Sequence, residues 1–169
     1  MNEQSWVNDK CDRSDWPAGE WDGEPDKVQW KDEATGLDCL ANRQSSGGHW
    51  CGYVGLPPGH RFHGKDYDDV KFDNEDDPYP NVHGGLTFSE ECDEADAPCR
   101  GICHVAAPGE PEKLWWLGFD CAHSGDLSPG HIKHYGSMKF GMDGYERYRA
   151  LNYVKNECKK LAAQLKGNP

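Results

Sequence analysis

Residues 27–56 read KVQWKDEATGLDCLANRQSSGGHWCGYVGL. Three short runs carry the large apolar residues of this stretch, and two polar segments that contain glycine separate them. Short apolar runs between such turns are typical of antiparallel strands that follow one another along the chain. The stretch therefore predicts a three-stranded meander, with strands at residues 28–30, 37–43 and 49–56.

Two further apolar runs extend the predicted sheet. Pro57-Pro58-Gly59 ends the third strand, because proline lacks the amide hydrogen that a strand ladder needs. Residues 82–89 and 114–120 are the next runs of strand length, and they flank a loop at residues 90–113 that contains cysteine and proline. We expect a sheet of about five strands, a common size, in which these two runs pair in antiparallel fashion.

The C-terminal region carries the helical pattern. Asp143, followed three residues later by Glu146, matches a capping box. Gly167 supplies a stop at the other end. Between them apolar residues recur at helical spacing, and they are Tyr148, Leu151, Val154, Cys158, Leu161 and Leu165. One amphipathic helix packed on an antiparallel sheet, with long irregular loops, predicts an α+β fold.

Length and composition indicate a single folded domain. The chain has 169 residues, an ordinary size for one domain. Its mean hydropathy is low, at −0.94, but seven Trp, seven Tyr and five Phe provide large side chains for a core. We divide this domain into an acidic irregular arm at residues 1–26, the sheet and its loops at 27–142, and the helix at 143–166.

The charge and the hydropathy pattern exclude some classes of partner. A formal net charge of −12 at pH 7 argues against direct nucleic-acid binding, which depends on basic side chains that neutralise phosphates. No apolar run approaches the roughly 20 residues that cross a bilayer, and residues 1–10 lack the features of a secretion signal. We therefore expect a soluble cytoplasmic protein whose eight cysteines are reduced.

Polar residues that follow the 114–120 run are the main candidates for chemistry. His123 lies between Asp120 and Asp126, so it can form an oriented acid–base pair, or share a metal ion with His83. We predict that His83, Asp120, His123 and Asp126 are catalytic and that both imidazoles face solvent. The alternative is that the aspartates only cap turns. Cys121 is expected to be a buried thiol rather than a nucleophile.

Glycines and basic side chains nearby are candidates for ligand binding. The motif HGGLT at residues 83–87 offers backbone N–H groups to an anion, together with a titratable ring and a hydroxyl. The alternative is a β-bulge at a sheet edge. The loop at residues 60–65 adds two imidazoles and a lysine. The ligand-binding residues that we predict are His60, His63, Lys65, Gly84, Gly85 and Thr87.

A second candidate site lies in or beside the 90–113 loop. Its sulfur and nitrogen donors suffice for a tetrahedral zinc ion, and they are Cys92, Cys99, Cys103 and His104. The chain has no C-x-x-C pair, however, and thiols also fill gaps in protein cores. Zinc is the one cofactor that the sequence suggests.

Several motifs together resemble an uncharacterised family of small proteins from bacteriophages and some bacteria. These motifs are CGYVG and PPGH within residues 51–60, HGKDYDDV at 63–70, HGGLT at 83–87, GICH at 101–104, and the stretch 115–130. The likeness spans most of residues 27–165. It implies a phage protein in the cytoplasm of the host cell, where such accessory proteins counter host defence by inhibiting a defence protein or by capturing or cleaving its nucleotide signal.

Three functions fit these observations. We favour a site that binds a phosphate-bearing small molecule such as a nucleotide immune signal, with His and Asp favouring hydrolysis over sequestration alone. The first alternative is an acidic inhibitor that binds a host defence protein and has no active site. The second alternative is a zinc-stabilised structural or interaction module.

Overall fold

A computed structural model describes residues 3–93, 95–135 and 146–167. Within these ranges, six strands form one antiparallel sheet in the order β1-β2-β3-β4-β6-β5. The strands are β1 (Gln4–Trp6), β2 (Lys27–Lys31), β3 (Asp38–Arg43), β4 (Trp50–Leu56), β5 (Phe88–Glu91) and β6 (Trp115–Asp120). The helices are α1 (Ile132–Tyr135) and α2 (Leu151–Lys166), with single 3-10 turns at Tyr67–Asp69 and Pro129–His131. The predicted α+β fold, with a C-terminal helix packed on an antiparallel sheet, is confirmed.

The meander predicted for residues 27–56 is confirmed. Val28 lies opposite Ala41 in the β2–β3 pair, and Leu40 lies opposite Tyr53 in the β3–β4 pair. All seven residues of β4 are buried. Gly52 stands in this strand because the ring of Phe119 occupies the space that a Cβ atom would need.

The strand predicted for residues 82–89 is shorter than expected. β5 pairs with β6 in antiparallel fashion, as predicted, with Phe88 opposite Gly118. Residues 82–87 instead form a turn in which the Gly85 N–H donates to the Val82 carbonyl at 2.9 Å. Gly84 and Gly85 both have positive φ there, which a regular strand excludes.

Residues 7–26 contain no strand or helix, as the prediction of an irregular arm at residues 1–26 implies, but the segment before β2 also belongs to the core. This segment supplies the edge strand β1, and Trp21 is buried in the main core. Arg43 is fully buried, and it lies 2.9 Å from Glu24 Oε2 and 3.2 Å from Asp26 Oδ1. A buried guanidinium needs such partners, and the segment contributes them without any periodic pattern.

The start of α2 differs from the prediction. Asp143 lies outside the described residues, but residues 146–150 are not helical and the helix begins at Leu151. Its first N–H groups need an acceptor, and Glu24 Oε1 accepts from the Leu151 N–H at 2.7 Å. The apolar face is confirmed, since Val154, Cys158, Leu161 and Leu165 are fully buried. Neither helix in the described ranges has the length and apolarity to span a bilayer.

Candidate functional site

The residues predicted to be catalytic meet at the end of β6. The chain leaves β6 at Asp120 and enters a turn in which the Asp126 N–H donates to the His123 carbonyl at 2.9 Å. The turn at residues 82–87 lies beside it, so that the ring centroids of His83 and His123 are 5.8 Å apart. We call the following residues the histidine cluster: His83, His123, Asp126, Arg149 and Tyr153.

His83 is held at both ring nitrogens. Nε2 lies 2.7 Å from Asp126 Oδ2, and Nδ1 lies 2.7 Å from the Tyr153 hydroxyl. The backbone N–H of His83 donates to Glu157 Oε2 at 2.8 Å. In the neutral ring, the ionised Asp126 places the proton on Nε2, and Nδ1 then accepts from the Tyr153 hydroxyl. The His83 side chain is only 12% exposed, so the expectation that it faces solvent is wrong.

Asp126 is the buried anion of the cluster. Oδ1 accepts from Arg149 Nε at 2.8 Å, and Oδ2 accepts from the His123 backbone N–H at 3.0 Å. Burial acts to raise the pKa of Asp126, but the hydrogen bonds from Arg149, His83 and His123 outweigh it and hold the pKa below its usual value. Turn capping accounts for the contact with His123 alone, so the carboxylate does more than cap a turn.

His123 is the more exposed imidazole, with 36% of its side chain accessible. Its Nε2 atom, however, is buried, lies 3.4 Å from Asp120 Oδ1 and makes no hydrogen bond within the described ranges. Gly84 packs so closely against this ring that a Cβ atom at position 84 would collide with Nε2. Asp120 in turn accepts from the Thr87 hydroxyl at 3.0 Å. The glycine turn and the end of β6 therefore interlock around His123.

The structure divides the predicted ligand-binding residues between two places. Gly84, Gly85 and Thr87 lie beside the histidine cluster, although the Gly85 N–H is already used within its turn. His63 and Lys65 lie near the other end of β6, about 17 Å away along the strand. There the His63 and Trp115 rings are 6.1 Å apart, and the Lys65 carbonyl accepts from Trp115 Nε1 at 2.9 Å.

His60 also lies away from the cluster, at the C-terminal end of α2. Its Nε2 donates to the Leu165 carbonyl at 3.1 Å, and its Nδ1 accepts from the Phe62 N–H at 3.1 Å. Burial lowers the pKa of His60. Both nitrogens are thus committed to the packing of the loop on the helix, which leaves His60 outside the site that His83 and His123 form.

Three residues near the cluster were not predicted: Arg149, Tyr153 and Glu157. The guanidinium carbon of Arg149 lies 4.9 Å from the centre of the Tyr153 ring. Tyr153 and Glu157 are four residues apart on α2 and therefore share one face. The sequence signal for these two residues was their position beside the apolar stripe of α2. A polar pair there indicates a second face of the helix that contacts buried groups.

His49 is a further imidazole close to this end of the sheet. It precedes β4, and its Nδ1 atom is buried without a hydrogen-bond partner in the described part of the chain. Burial lowers the pKa of His49, and the negative charges of Asp120 and Asp126 partly oppose that effect. The imidazoles at this end of the sheet therefore lie close to two carboxylates, those of Asp120 and Asp126.

The predicted zinc ligands are brought together in part. Cys92 and Cys103 form a disulfide, so the expectation of reduced thiols is wrong for this pair. His104 joins them, with all three ligand atoms within 4.8 Å of one another, while Cys99 stays outside the group and is free. No comparable group of three donors occurs elsewhere among residues 3–93, 95–135 and 146–167. The remaining free thiols are buried, as predicted for Cys121, and they are Cys11, Cys39, Cys51, Cys121 and Cys158.

No protein-family model, curated protein or solved structure matches this chain. Function is therefore inferred from the chemistry of the site. The histidine cluster combines an oriented imidazole, a second imidazole that is partly exposed, a phenol and a guanidinium. These groups can transfer protons and bind an anion at one place.

Proposed function

We propose that the protein binds a phosphate-bearing small molecule at the histidine cluster and hydrolyses it by acid–base catalysis. One observation supports this above all others. His83 connects the buried Asp126 carboxylate to the Tyr153 hydroxyl, with 2.7 Å contacts at both ring nitrogens. Enzymes use an imidazole that a buried carboxylate orients in this way to move protons during a reaction.

Arg149 supplies the cation that a phosphate-bearing ligand requires. Its side chain is 27% exposed, and its Nε is bound to Asp126. Its two terminal nitrogens have no hydrogen-bond partner within the described ranges. A guanidinium held by one edge can offer the other edge to two phosphate oxygens. Because the chain as a whole carries a formal charge of −12, this local cation defines where an anion binds.

Tyr153 and His123 carry the two proton transfers in this proposal. Burial raises the pKa of Tyr153, so its hydroxyl keeps its proton at neutral pH. In the reaction this hydroxyl gives up its hydrogen bond to His83 Nδ1 and donates the proton to the leaving oxygen. His123 accepts the proton of the attacking water at Nδ1, because its Nε2 atom is buried, and the water oxygen bonds to phosphorus as the leaving oxygen departs. Both rings lie next to His83, with centroids 5.4 Å and 5.8 Å from it. Exchange with solvent then restores the starting protonation states.

The resemblance of the sequence motifs to phage accessory proteins favours a nucleotide immune signal as the substrate. Such signals carry phosphodiester bonds, which acid–base chemistry can hydrolyse. In this setting, loss of the signal would block a defence response of the host cell.

Phosphodiester turnover in the presence of EDTA tests the proposal. The probes are bis(p-nitrophenyl) phosphate and a panel of cyclic mononucleotides and dinucleotides. We expect Tyr153→Phe and His123→Gln each to lower turnover about 100-fold, because each removes one proton-transfer group. Tyr79→Phe is the matched control, since Tyr79 is 53% exposed, and it should leave turnover unchanged. Absence of turnover on every probe, or full turnover by Tyr153→Phe, contradicts the proposal.

A further inference from the structure

The loop that contains Cys92 and Cys103 covers the face of the sheet opposite to α2. Cys92 packs on a small apolar cluster that points away from the helix. Its members are Leu40, Cys51, Tyr53 and Trp116, at alternate strand positions, and Leu114, just before β6. We call Cys92, Cys103 and His104 the thiol cluster. Its chemistry is separate from that of the histidine cluster, which lies beside α2.

We propose that the thiol cluster binds a Zn²⁺ ion when the Cys92–Cys103 disulfide is reduced, so that metal occupancy follows the redox state of this pair. Two thiolates and one imidazole are a set of ligands that zinc prefers, and here their ligand atoms lie within 4.8 Å of one another. All three residues are half-buried. The fourth position of a tetrahedral ion therefore remains open to water.

Trp116 positions two of the three ligands. Its side chain is fully buried in β6, and its Nε1–H donates to Cys92 Sγ at 3.3 Å. Its ring also contacts His104, with centroids 5.6 Å apart. Hydrogen bonds from fixed neighbouring groups orient metal ligands and tune their basicity. A rigid strand thus provides the support that a metal site needs.

His104 gives an independent reason to expect a ligand. Its Nδ1 atom is buried and makes no hydrogen bond in the described part of the chain. A buried polar atom without a partner is costly, and a disulfide does not satisfy it. Coordination of a metal ion through Nδ1 would remove that cost.

Both ends of the loop stay attached to the sheet when the disulfide opens. Lys27, which is 1% exposed, donates through Nζ to the carbonyls of Arg100 at 3.0 Å and Cys103 at 2.8 Å. The Cys92 N–H donates to the Leu114 carbonyl at 3.2 Å. These contacts keep the two sulfurs near each other after reduction, so the ligand set remains assembled.

The redox step requires an external dithiol. The dithiol passes two electrons and two protons to the S–S bond, which breaks to give the thiols of Cys92 and Cys103, and the dithiol itself becomes a disulfide. Zn²⁺ then displaces both thiol protons to solvent as it binds the sulfurs. Oxidation of the pair by a small-molecule disulfide reverses the sequence and releases the ion.

Metal titration of the full-length protein tests this assignment. The protein is reduced with dithiothreitol, desalted without oxygen, and titrated with Zn²⁺ and with Co²⁺. We expect one Zn²⁺ per chain by native mass spectrometry, and thiolate-to-cobalt charge-transfer absorption that oxidised protein lacks. Trp116→Phe should lower the affinity about tenfold, while Cys92→Ser and Cys103→Ser should abolish the charge-transfer bands.

Cys99→Ser is the matched control, because Cys99 lies in the same loop as a free thiol outside the group, and it should bind zinc normally. His104→Gln retains both sulfurs and their disulfide, so it still reports on the site if a cysteine variant fails to fold. We expect weaker zinc binding by His104→Gln. The assignment is overturned if reduced protein binds no zinc, if oxidised protein binds it equally well, or if Cys99→Ser loses it.

Discussion

Replacing Gly84 with alanine should displace the His123 ring while the fold stays intact. Gly84 has φ of +67°, and a Cβ atom at this position would collide with His123. The next residue, Gly85, has φ of +81° and open space where its Cβ would lie. Gly85→Ala is therefore a control that introduces the same backbone strain without the collision.

The two variants should lose similar amounts of stability. Alanine in the left-handed region costs about 1–2 kcal/mol, and its smaller entropy in the unfolded chain offsets about 0.4–1 kcal/mol of that cost. We expect a net decrease of about 0–1.6 kcal/mol in the free energy of unfolding for each variant. The collision in Gly84→Ala adds little, because the His123 side chain is 36% exposed and can rotate into solvent.

Urea denaturation measures the stability of both variants, and NMR of the histidine rings follows His123. The His123 ring resonances should shift in Gly84→Ala and stay in place in Gly85→Ala. Turnover of the phosphodiester probes should fall in Gly84→Ala alone. The reasoning is refuted if the two variants give the same His123 spectrum, or if Gly84→Ala is several kcal/mol less stable than Gly85→Ala.

Two further predictions concern the core. Glu24→Gln should lower the free energy of unfolding by about 3–5 kcal/mol, because it removes the anion that pairs with the buried Arg43 guanidinium and caps α2. Glu20→Gln, at an exposed position, is the control. Equal urea midpoints for the two variants would contradict this role of Glu24. Burial raises the pKa of Cys51 from 9.0 to about 11, so between these pH values the folded chain holds a proton that the unfolded chain has lost. The stability that this thiol contributes is complete below pH 9 and falls as the pH rises toward 11. In Cys51→Ala, the free energy of unfolding should therefore decrease by about 3 kcal/mol less over this pH range than in the wild type. If urea denaturation of the two proteins shows the same pH dependence, the thiol is not protected.

Local sequence patterns predicted the central strands. They did not predict β1 or the start of α2, because contacts with residues distant in the sequence determine both. β2, β3 and β4 each carry their own apolar run between turns, so their positions follow from adjacent residues. β1 carries no such run, and it is a strand because it pairs with β2. The helix start shows the same limit, because its first N–H group is bound by Glu24 from 127 positions away. A local capping pattern contains no information about such a partner.

In the candidate site, too, local patterns predicted some residues, and tertiary packing determined the positions of the others. His83 and His123 were predicted to meet, because each lies beside one of two apolar runs that a loop can pair, and the pairing of β5 with β6 bears this out. Tyr153 reaches the cluster because α2 packs across the sheet. Arg149 lies just before α2, in the segment where Arg147 pairs with Asp126. His60 has the right chemistry for a ligand but contacts the far end of that helix. Residue type alone therefore identified candidates that tertiary packing places in different locations.

The choice of variant decides whether an experiment reports on chemistry or on folding. Asp126 binds His83, His123 and Arg149, which belong to three separate segments of the chain. Asp126→Asn therefore breaks the ion pair between the buried carboxylate and Arg149 and weakens its hydrogen bonds to the two histidines. We expect a cost of about 3–5 kcal/mol, so any loss of activity would be ambiguous. Tyr153→Phe removes only the hydroxyl that contacts His83, a hydrogen bond worth about 1 kcal/mol. A large fall in turnover with so small a fall in stability is expected only if the hydroxyl takes part in the reaction.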